Sequence, residues 1–161
     1  MVDELGRVIG LRLRHWKTGS KWAVSGGRNG LFVPLQTLEN VERLYLPEGA
    51  SDLAALLSIG LPGIGRAFGG GAGILESKYV RRTRPNECVI VADNDATGKG
   101  SATSLRTALV TACPLVRIIS PPESFKDLRD WVANGAKRED VILAADSAVP
   151  TSLRIRSEVR R

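Results

Sequence analysis

The sequence predicts an α/β fold in which a mostly parallel sheet is flanked by helices and preceded by a small basic β-hairpin unit. From Arg43 onward, apolar strand-like runs alternate with segments of helical periodicity, which is typical of sheets built with crossover helices. Residues 88–92 are apolar throughout, as in a strand buried on both faces. Between Val8 and Arg14, apolar and polar residues alternate instead, which indicates a half-exposed strand.

Length and composition are those of a single globular domain. The chain has 161 residues with 43% hydrophobic and 25% charged residues, which is enough apolar material for one core. No apolar run approaches the roughly 20 residues of a membrane span, and the start MVDELGRVIG lacks the pattern of a signal peptide, so we expect a cytoplasmic protein. Cys88 and Cys113 have no CxxC spacing, so we interpret both as buried thiols.

The first predicted unit is a basic arm, residues 1–40. After the alternating strand, KTGSK supplies a turn, KWAV a returning strand, and GGRNG a turn before LFVP. Residues 1–38 carry only the acids Asp3 and Glu4 against six basic residues, a surplus that favours a polyanion such as nucleic acid or an acidic membrane surface. Solubility alone is the alternative. The candidate nucleic-acid contacts are Arg7, Arg12, Arg14, Lys17, Lys21 and Arg28.

Two tryptophans of the basic arm have two interpretations. Trp16 and Trp22 could stack on nucleic-acid bases, although a core position is the more usual one for tryptophan. Trp131, in contrast, lies on the apolar stripe of a predicted helix and is expected in the core.

The region 41–136 is predicted to alternate strands and helices. Ser51 and Asp52 suit a helix start, and Gly60 and Pro62 mark its end. The predicted strands are residues 44–46, 63–68, 88–92 and 116–119, and the predicted helices are residues 51–59, 74–82, 102–109, 128–132 and 138–149.

Carboxylates follow two of the predicted strands. Glu48 comes directly after the strand 44–46, and Asp93 and Asp95 come after the strand 88–92. Ligand sites of open parallel sheets lie beyond the carboxyl ends of the strands, and side chains at positions i and i+2 of an extended chain point the same way. The three acids therefore suit Mg²⁺, with Mn²⁺ as a substitute. Capping of the next helix by the acids is the alternative.

A glycine-bracketed lysine lies at the entrance of the following helix. Lys99 stands between Gly98 and Gly100. Because a helix N-terminus offers free N–H groups and a partial positive charge, we predict that this segment binds phosphate.

Three stretches in this order resemble a TOPRIM domain, the catalytic fold shared by DnaG-type primases, topoisomerases and some nucleases. They are LYLPEGASDLAALLSIGLPGIG, VIVADNDATGKGSA and KDLRDWVANG, and the resemblance covers residues 41–136. It leaves residues 137–161 as a helix and a basic tail. The segments GRVIG and GLF also resemble the strand segment that precedes TOPRIM in DnaG-type, phage and plasmid primases.

The resemblance implies roles for individual residues. Glu48 would take part in acid/base chemistry and metal binding, and Asp93 and Asp95 would bind magnesium, so these three are the candidate catalytic residues. The KD pair of primases matches Lys126, which would bind phosphate, and Asp127, which would extend the metal cluster. The alternative for this pair is an acid at a helix start beside an exposed lysine.

The expected activity is that of the catalytic part of a DNA primase, a nucleotidyltransferase that makes RNA primers in DNA replication. The partners would be a single-stranded DNA template and nucleotides, with a replicative helicase or a separate zinc-binding module beside them and no membrane. The sequence has no cysteine cluster for zinc, so the chain resembles a piece of a primase or a small stand-alone relative, and activity could require partner domains. A TOPRIM nuclease and a non-catalytic docking module are the alternatives.

Overall fold

The structure is a computed structural model that describes residues 1–35, 38, 41–66 and 73–153. It alternates strands and helices after an all-β start. In chain order the elements are β1 (Arg12–Arg14), β2 (Lys21–Ala23), β3 (Leu31–Phe32), β4 (Arg43–Leu46), α1 (Ala50–Ser58), β5 (Gly65–Arg66), α2 (Ile74–Thr83), β6 (Glu87–Val91), α3 (Ala96–Leu109), β7 (Leu115–Ile119), α4 (Leu128–Ala133) and α5 (Arg138–Ser147).

A parallel sheet with strand order β4-β6-β7 forms the centre of the molecule. Tyr45 of β4 faces Val89 of β6, which in turn faces Arg117 of β7. Single bridges extend the sheet on both sides, parallel from Tyr45 to Gly63 and antiparallel from Val116 to Thr151. Every residue of β6 is buried, as the apolar run 88–92 predicts for the middle strand of such a sheet.

Successive residues of the central strands pack into two different cores. Leu44, Cys88 and Ile90 join the core on the side of α2 and α3. Tyr45 and Val89 join the core on the side of α1, α4 and α5. Because side chains alternate along a strand, the sheet separates two layers of helices, and each fully buried aliphatic side chain contributes about 1.5–3 kcal/mol. The predicted parallel sheet flanked by helices is confirmed.

The basic arm forms the predicted hairpin, and its last strand pairs with β5 in a separate two-stranded sheet. β1 pairs antiparallel with β2, with Leu13 opposite Trp22. β3 pairs antiparallel with β5, with Leu31 opposite Arg66. Regular structure in the first strand starts at Arg12, later than the alternation from Val8 predicts, because the residues before it bond elsewhere: Val8 forms a bridge with Val2, and the Ile9 carbonyl oxygen accepts from the Arg28 N–H at 2.8 Å.

Burial of the tryptophans and cysteines tests their predicted positions. Trp16 is 83% exposed and Trp22 is 46% exposed, so the core interpretation is wrong for both. In the described part of the chain, all three residues of β2 are exposed. Trp131, Cys88 and Cys113 are buried as predicted, and both cysteines are free thiols.

Several predicted elements end at different residues in the structure. α3 begins six residues earlier than the apolar stripe indicates, at Ala96, because Asp95 caps it. The strand predicted over 63–68 is regular only in β5, and residues 67 and 68 lie outside the described residues, as do residues 154–161 of the predicted basic tail. Within the described ranges, no helix has the length and apolar character that crossing a bilayer requires.

Candidate functional site

A cavity of about 820 Å³ lies at the carboxyl edge of the parallel sheet, beyond the ends of β4 and β6. It is lined by the hairpin, by β5 and by the starts of α1, α3 and α4. Its charged lining residues are the acids Glu48, Asp52, Asp93 and Asp127 and the bases Arg12, Arg14, Lys21, Arg66, Lys126 and Arg129. The cavity thus combines several carboxylates with a larger number of cationic side chains, at the edge where sheets of this kind bind ligands.

Glu48 leaves the end of β4 with one buried oxygen. Gly49 follows in an extended conformation (φ −141°, ψ 177°) and starts α1. Gly65 of β5 approaches so closely that a Cβ there would lie 2.9 Å from the Gly49 carbonyl oxygen, so only glycine fits. Glu48 Oε2 is buried and has no hydrogen-bond partner in the described part of the chain. A buried carboxylate oxygen without a hydrogen-bond partner lowers the stability of the folded state, unless a ligand or an ion binds to it.

Asp93 follows β6 and lines the same cavity. Gly98 of α3 packs directly on it, since a Cβ at Gly98 would lie 2.8 Å from the Asp93 carbonyl oxygen and 2.9 Å from the Asp93 Cβ. Burial, together with the negative charges of Glu48, Asp52, Asp127 and Asp95, raises the pKa of Asp93 to about 6. The carboxylates predicted to converge are therefore close enough to repel one another, and a cation would stabilise the ionised set.

Asp95 and Asn94 have structural contacts of their own. Asp95 is exposed, does not line the cavity, and accepts a 2.7 Å hydrogen bond at Oδ1 from the Gly98 N–H as the N-cap of α3. Asp95 is still extended and α3 begins at Ala96, so of the two acids only Asp93 lines the cavity. The helix-capping alternative therefore describes Asp95, whose role in metal binding stays a prediction.

Asn94 ties the end of β6 to the loop before α4. Its side-chain nitrogen donates to the carbonyl oxygens of Pro121 at 3.0 Å, Pro122 at 3.1 Å and Phe125 at 2.7 Å. Its backbone N–H donates to the Lys126 carbonyl oxygen at 2.9 Å. These bonds bring Lys126 and Asp127 beside Asp93, although the pairs lie more than 30 residues apart in the chain.

Asp127 and Asp52 are buried acids connected through Arg129. Asp127 caps α4, accepting at Oδ1 from the Asp130 N–H at 2.7 Å and at Oδ2 from Arg129 Nη2 at 3.1 Å. Asp52 Oδ1 accepts from the Arg129 N–H at 3.1 Å. Burial raises the pKa of Asp52, and the charge of Asp127 adds to this effect.

Asp52, Arg66 and Arg129 line the cavity, although the sequence did not identify them as site residues. Asp52 was interpreted only as part of a helix start. Its spacing of four residues from Glu48, across the turn from a strand into a helix, was the signal that could have found it. Arg66 and Arg129 gave no such signal, because an arginine in a short strand or a helix start is usually exposed.

The basic residues predicted to bind nucleic acid or phosphate divide into two groups. Arg12, Arg14, Lys21 and Lys126 line the cavity. The other four, Arg7, Lys17, Arg28 and Lys99, are exposed and do not line it.

Two of the exposed group have contacts of their own. Arg7 Nε pairs with Asp3 Oδ2 at 2.7 Å, and the Lys17 ammonium lies 4.9 Å from the centre of a Trp16 ring. Their predicted contacts with nucleic acid stay predictions.

The carboxylates fit a magnesium ion that is bound mainly through water and phosphate. Within residues 1–35, 38, 41–66 and 73–153, no three Asp, Glu, His or Cys side chains are arranged to hold one metal ion by themselves. Mg²⁺ commonly takes only one or two carboxylates and keeps several waters. The partnerless oxygen of Glu48 and the raised pKa of Asp93 make these two the best-suited ligands, whereas Asp95 and Asp127 each already use an oxygen to cap a helix.

Comparisons with known proteins find similarity in structure but not in sequence. No protein-family model and no curated protein matches the sequence. The Aquifex aeolicus primase, with its zinc-binding and RNA polymerase domains, is similar with a TM-score of 0.70 and 22% identity over 92% of this chain and 39% of that chain. A DnaG primase catalytic domain bound to single-stranded DNA has a TM-score of 0.68 and 22% identity over 92% and 50%.

A phage protein has the same architecture. The primase fragment of the bacteriophage T7 primase-helicase has a TM-score of 0.62 and 17% identity, covering 88% of this chain and 58% of that chain. The chain spans about half the length of the DnaG-type structures that it matches. At these identities the comparisons establish the fold, and the predicted TOPRIM fold of primase catalytic cores is confirmed.

Proposed function

We propose that this chain is the catalytic TOPRIM part of a DNA primase and performs magnesium-dependent nucleotidyl transfer during primer synthesis. The observation that carries this proposal is the pairing of Glu48, with its partnerless buried oxygen, and Asp93 at the ends of neighbouring parallel strands inside a cavity with basic walls. The fold shared with primase cores supports it.

The reaction joins nucleotides through attack of a 3′ hydroxyl on an α-phosphate, with pyrophosphate as the leaving group. Magnesium or manganese, held by Glu48 and Asp93, would neutralise charge at the transferring phosphate. Glu48 is suited to accept the proton of the attacking hydroxyl, because its buried oxygen has no other partner in the described ranges. Lys126 at the cavity wall is suited to pair with a phosphate.

The basic arm would hold the template. Arg12, Arg14 and Lys21 reach the cavity from β1 and β2, so a single strand held along the hairpin would pass beside the carboxylates. Contacts of this kind give salt-dependent and largely sequence-independent affinity. One of the similar structures is a catalytic domain bound to single-stranded DNA. We propose that single-stranded DNA is also the template of this chain and that nucleotides are its substrates. A replicative helicase or a zinc-binding module would be a further partner, and the protein would act in the cytoplasm.

Primer synthesis by the purified chain tests the proposal. We expect labelled nucleotides to be joined on a single-stranded template with magnesium or manganese, and Asp93→Asn to lower the rate by about 10²–10⁴-fold. Glu139→Gln is the matched control, because Glu139 is exposed and does not line the cavity. Equal activity of Asp93→Asn and the wild type would contradict the catalytic role.

The same assay separates the alternatives. Cut strands in place of primers would indicate a TOPRIM nuclease that uses the same acids. Salt-sensitive binding of DNA with neither product would indicate a docking module.

A further inference from the structure

Arg66 is a buried cation at the wall of the cavity. It belongs to β5, opposite Leu31 of β3, and is only 3% exposed. The close contact between Gly65 and Gly49 brings its backbone next to the turn that carries Glu48. Arginine is rarely buried without a carboxylate partner, so its surroundings need an explanation.

The guanidinium of Arg66 is only partly satisfied. Nη1 donates to Ser101 Oγ at 2.8 Å. Nε and Nη2 are buried and have no hydrogen-bond partner among the described residues. These two nitrogens lie on the same edge of the planar group and form a fork that can donate two parallel hydrogen bonds.

Arg66 also lacks an ion-pair partner within the described ranges. The buried carboxyl of Glu76 is the group on which its charge acts: burial raises the pKa of Glu76, and the charge of Arg66 lowers it in part. Leaving a buried charge and two donors incomplete costs stability. Because the Arg66 guanidinium is buried at a cost to stability, we expect it to bind a ligand.

The wall beside Arg66 is suited to an anion. Ala96, Thr97, Gly100 and Ser101 from the first turns of α3 line the cavity there. A Cβ at Gly100 would meet no atom within 4 Å, so the space beside the helix is open. The N-terminus of a helix of this length adds a partial positive charge.

We propose that the Nε and Nη2 edge of Arg66 binds a phosphate group of the incoming nucleotide. The inference deepens the proposed function and rests on it. Phosphate fits because its oxygens match the fork of a guanidinium and because the site is lined by cations and a helix start. Arg66 would hold the nucleotide while Glu48 and Asp93 act at the reacting centre.

The test measures binding of inorganic tripolyphosphate to the full chain by calorimetry, with EDTA present so that the metal site does not contribute. We expect Arg66→Met to weaken binding by roughly tenfold to a hundredfold, as for loss of charge-assisted hydrogen bonds. Arg81→Met is the matched control, because Arg81 is exposed and does not line the cavity. Arg66→Lys keeps the charge but loses the fork, so we expect intermediate affinity.

Thermal unfolding without ligand separates binding from a structural role. We expect Arg66→Met to melt at the same temperature as the wild type or higher, because it removes an incompletely paired buried charge. Equal tripolyphosphate affinity of Arg66→Met and the wild type, or no binding by the wild type, would overturn the inference.

Binding of two further ligands shows whether the phosphate that Arg66 binds belongs to a nucleotide or to a nucleic-acid strand. If a nucleoside triphosphate loses affinity in Arg66→Met and an oligonucleotide without terminal phosphate does not, the incoming nucleotide is the ligand. The reverse pattern would assign Arg66 to the strand backbone and overturn the inference. Primer synthesis is scored separately: a chain that binds tripolyphosphate through Arg66 but makes no primer would contradict the proposed function alone.

Discussion

The β1–β2 hairpin and the carboxyl edge of the parallel sheet both contribute charged side chains to one cavity, but they hold them differently. All three residues of β2 are exposed, whereas all five of β6 are buried. At the sheet edge, glycine contacts and backbone hydrogen bonds fix Glu48, Asp93 and Asp127. The difference teaches that packing determines the positions of the acids, whereas the hairpin cations extend from a strand pair whose surface is largely exposed.

The largest effect is expected from a substitution that disturbs the contact between Gly98 and Asp93, because this contact fixes the position of an acid at the sheet edge. Gly98→Ala is expected to lower the free energy of unfolding by about 1–3 kcal/mol, because the new Cβ would overlap the Asp93 backbone. It should also lower primer synthesis. Chemical denaturation and the primer assay measure the two effects.

Gly100→Ala is the control for Gly98→Ala. It lies two residues further along α3, where a Cβ meets no atom within 4 Å, so we expect a gain of about 0.5–1 kcal/mol from helix propensity. Equal effects of the two substitutions would show that helix propensity, and not the contact with Asp93, decides stability here.

A second prediction concerns the repulsion among the acids. The pKa of Asp93 is raised from 3.8 to about 6. Between these pH values the folded state therefore binds more protons than the unfolded state, and the contribution of the Asp93 carboxyl to the free energy of unfolding falls as the pH rises. At pH 7 we expect Asp93→Asn to raise the free energy of unfolding by about 1 kcal/mol, reduced for partial solvent exposure.

Urea unfolding at pH 4, 5, 6 and 7 measures this effect. Millimolar magnesium should narrow the difference at pH 7, since a bound cation stabilises the wild-type carboxylates. If Asp93→Asn is less stable than the wild type at pH 7 without magnesium, the repulsion argument is wrong.

The smallest expected effect on stability is in the hairpin. Replacing Arg12 and Arg14 together by alanine should change the free energy of unfolding by about 0.5 kcal/mol or less, because the strand surface is largely exposed. Binding of single-stranded DNA should weaken, and the slope of log affinity against log salt should become shallower by about 1.4 if each arginine contacts one phosphate.

Lys17→Ala with Arg28→Ala is the matched pair for the hairpin. Both residues are exposed and neither lines the cavity, so a smaller change in the salt slope is expected. Equal slopes for the two double variants would contradict a template path through the cavity.

The same difference explains what the sequence could predict. Buried strands leave a strong pattern, so the parallel sheet and the positions of Glu48 and Asp93 at its edge follow from the run 88–92 and the strand before Glu48. Asp95 could not be distinguished from Asp93, because the sequence does not show which of the two acids caps α3 through a bond to Gly98.

The rest depends on contacts between distant segments. Arg66 contacts β3 and α3, and the residues that it contacts there are about 35 positions away in the sequence. The residues next to position 66 therefore do not predict its burial. The exposure of Trp16 and Trp22 also could not be predicted, because residue type favours the core and the burial of a hairpin face depends on how distant segments pack.

The pairing of β3 with β5 has a practical consequence for where the chain can be divided. Leu31 and Phe32 pair with Arg66 and Gly65, and Gly63 is bridged to Tyr45 of the parallel sheet. A chain shortened to start at residue 41 would lose the partner strand of Gly65 and Arg66 and present an open edge to other molecules, which favours aggregation. A minimal active fragment should therefore retain the first 35 residues, even if template binding is not required.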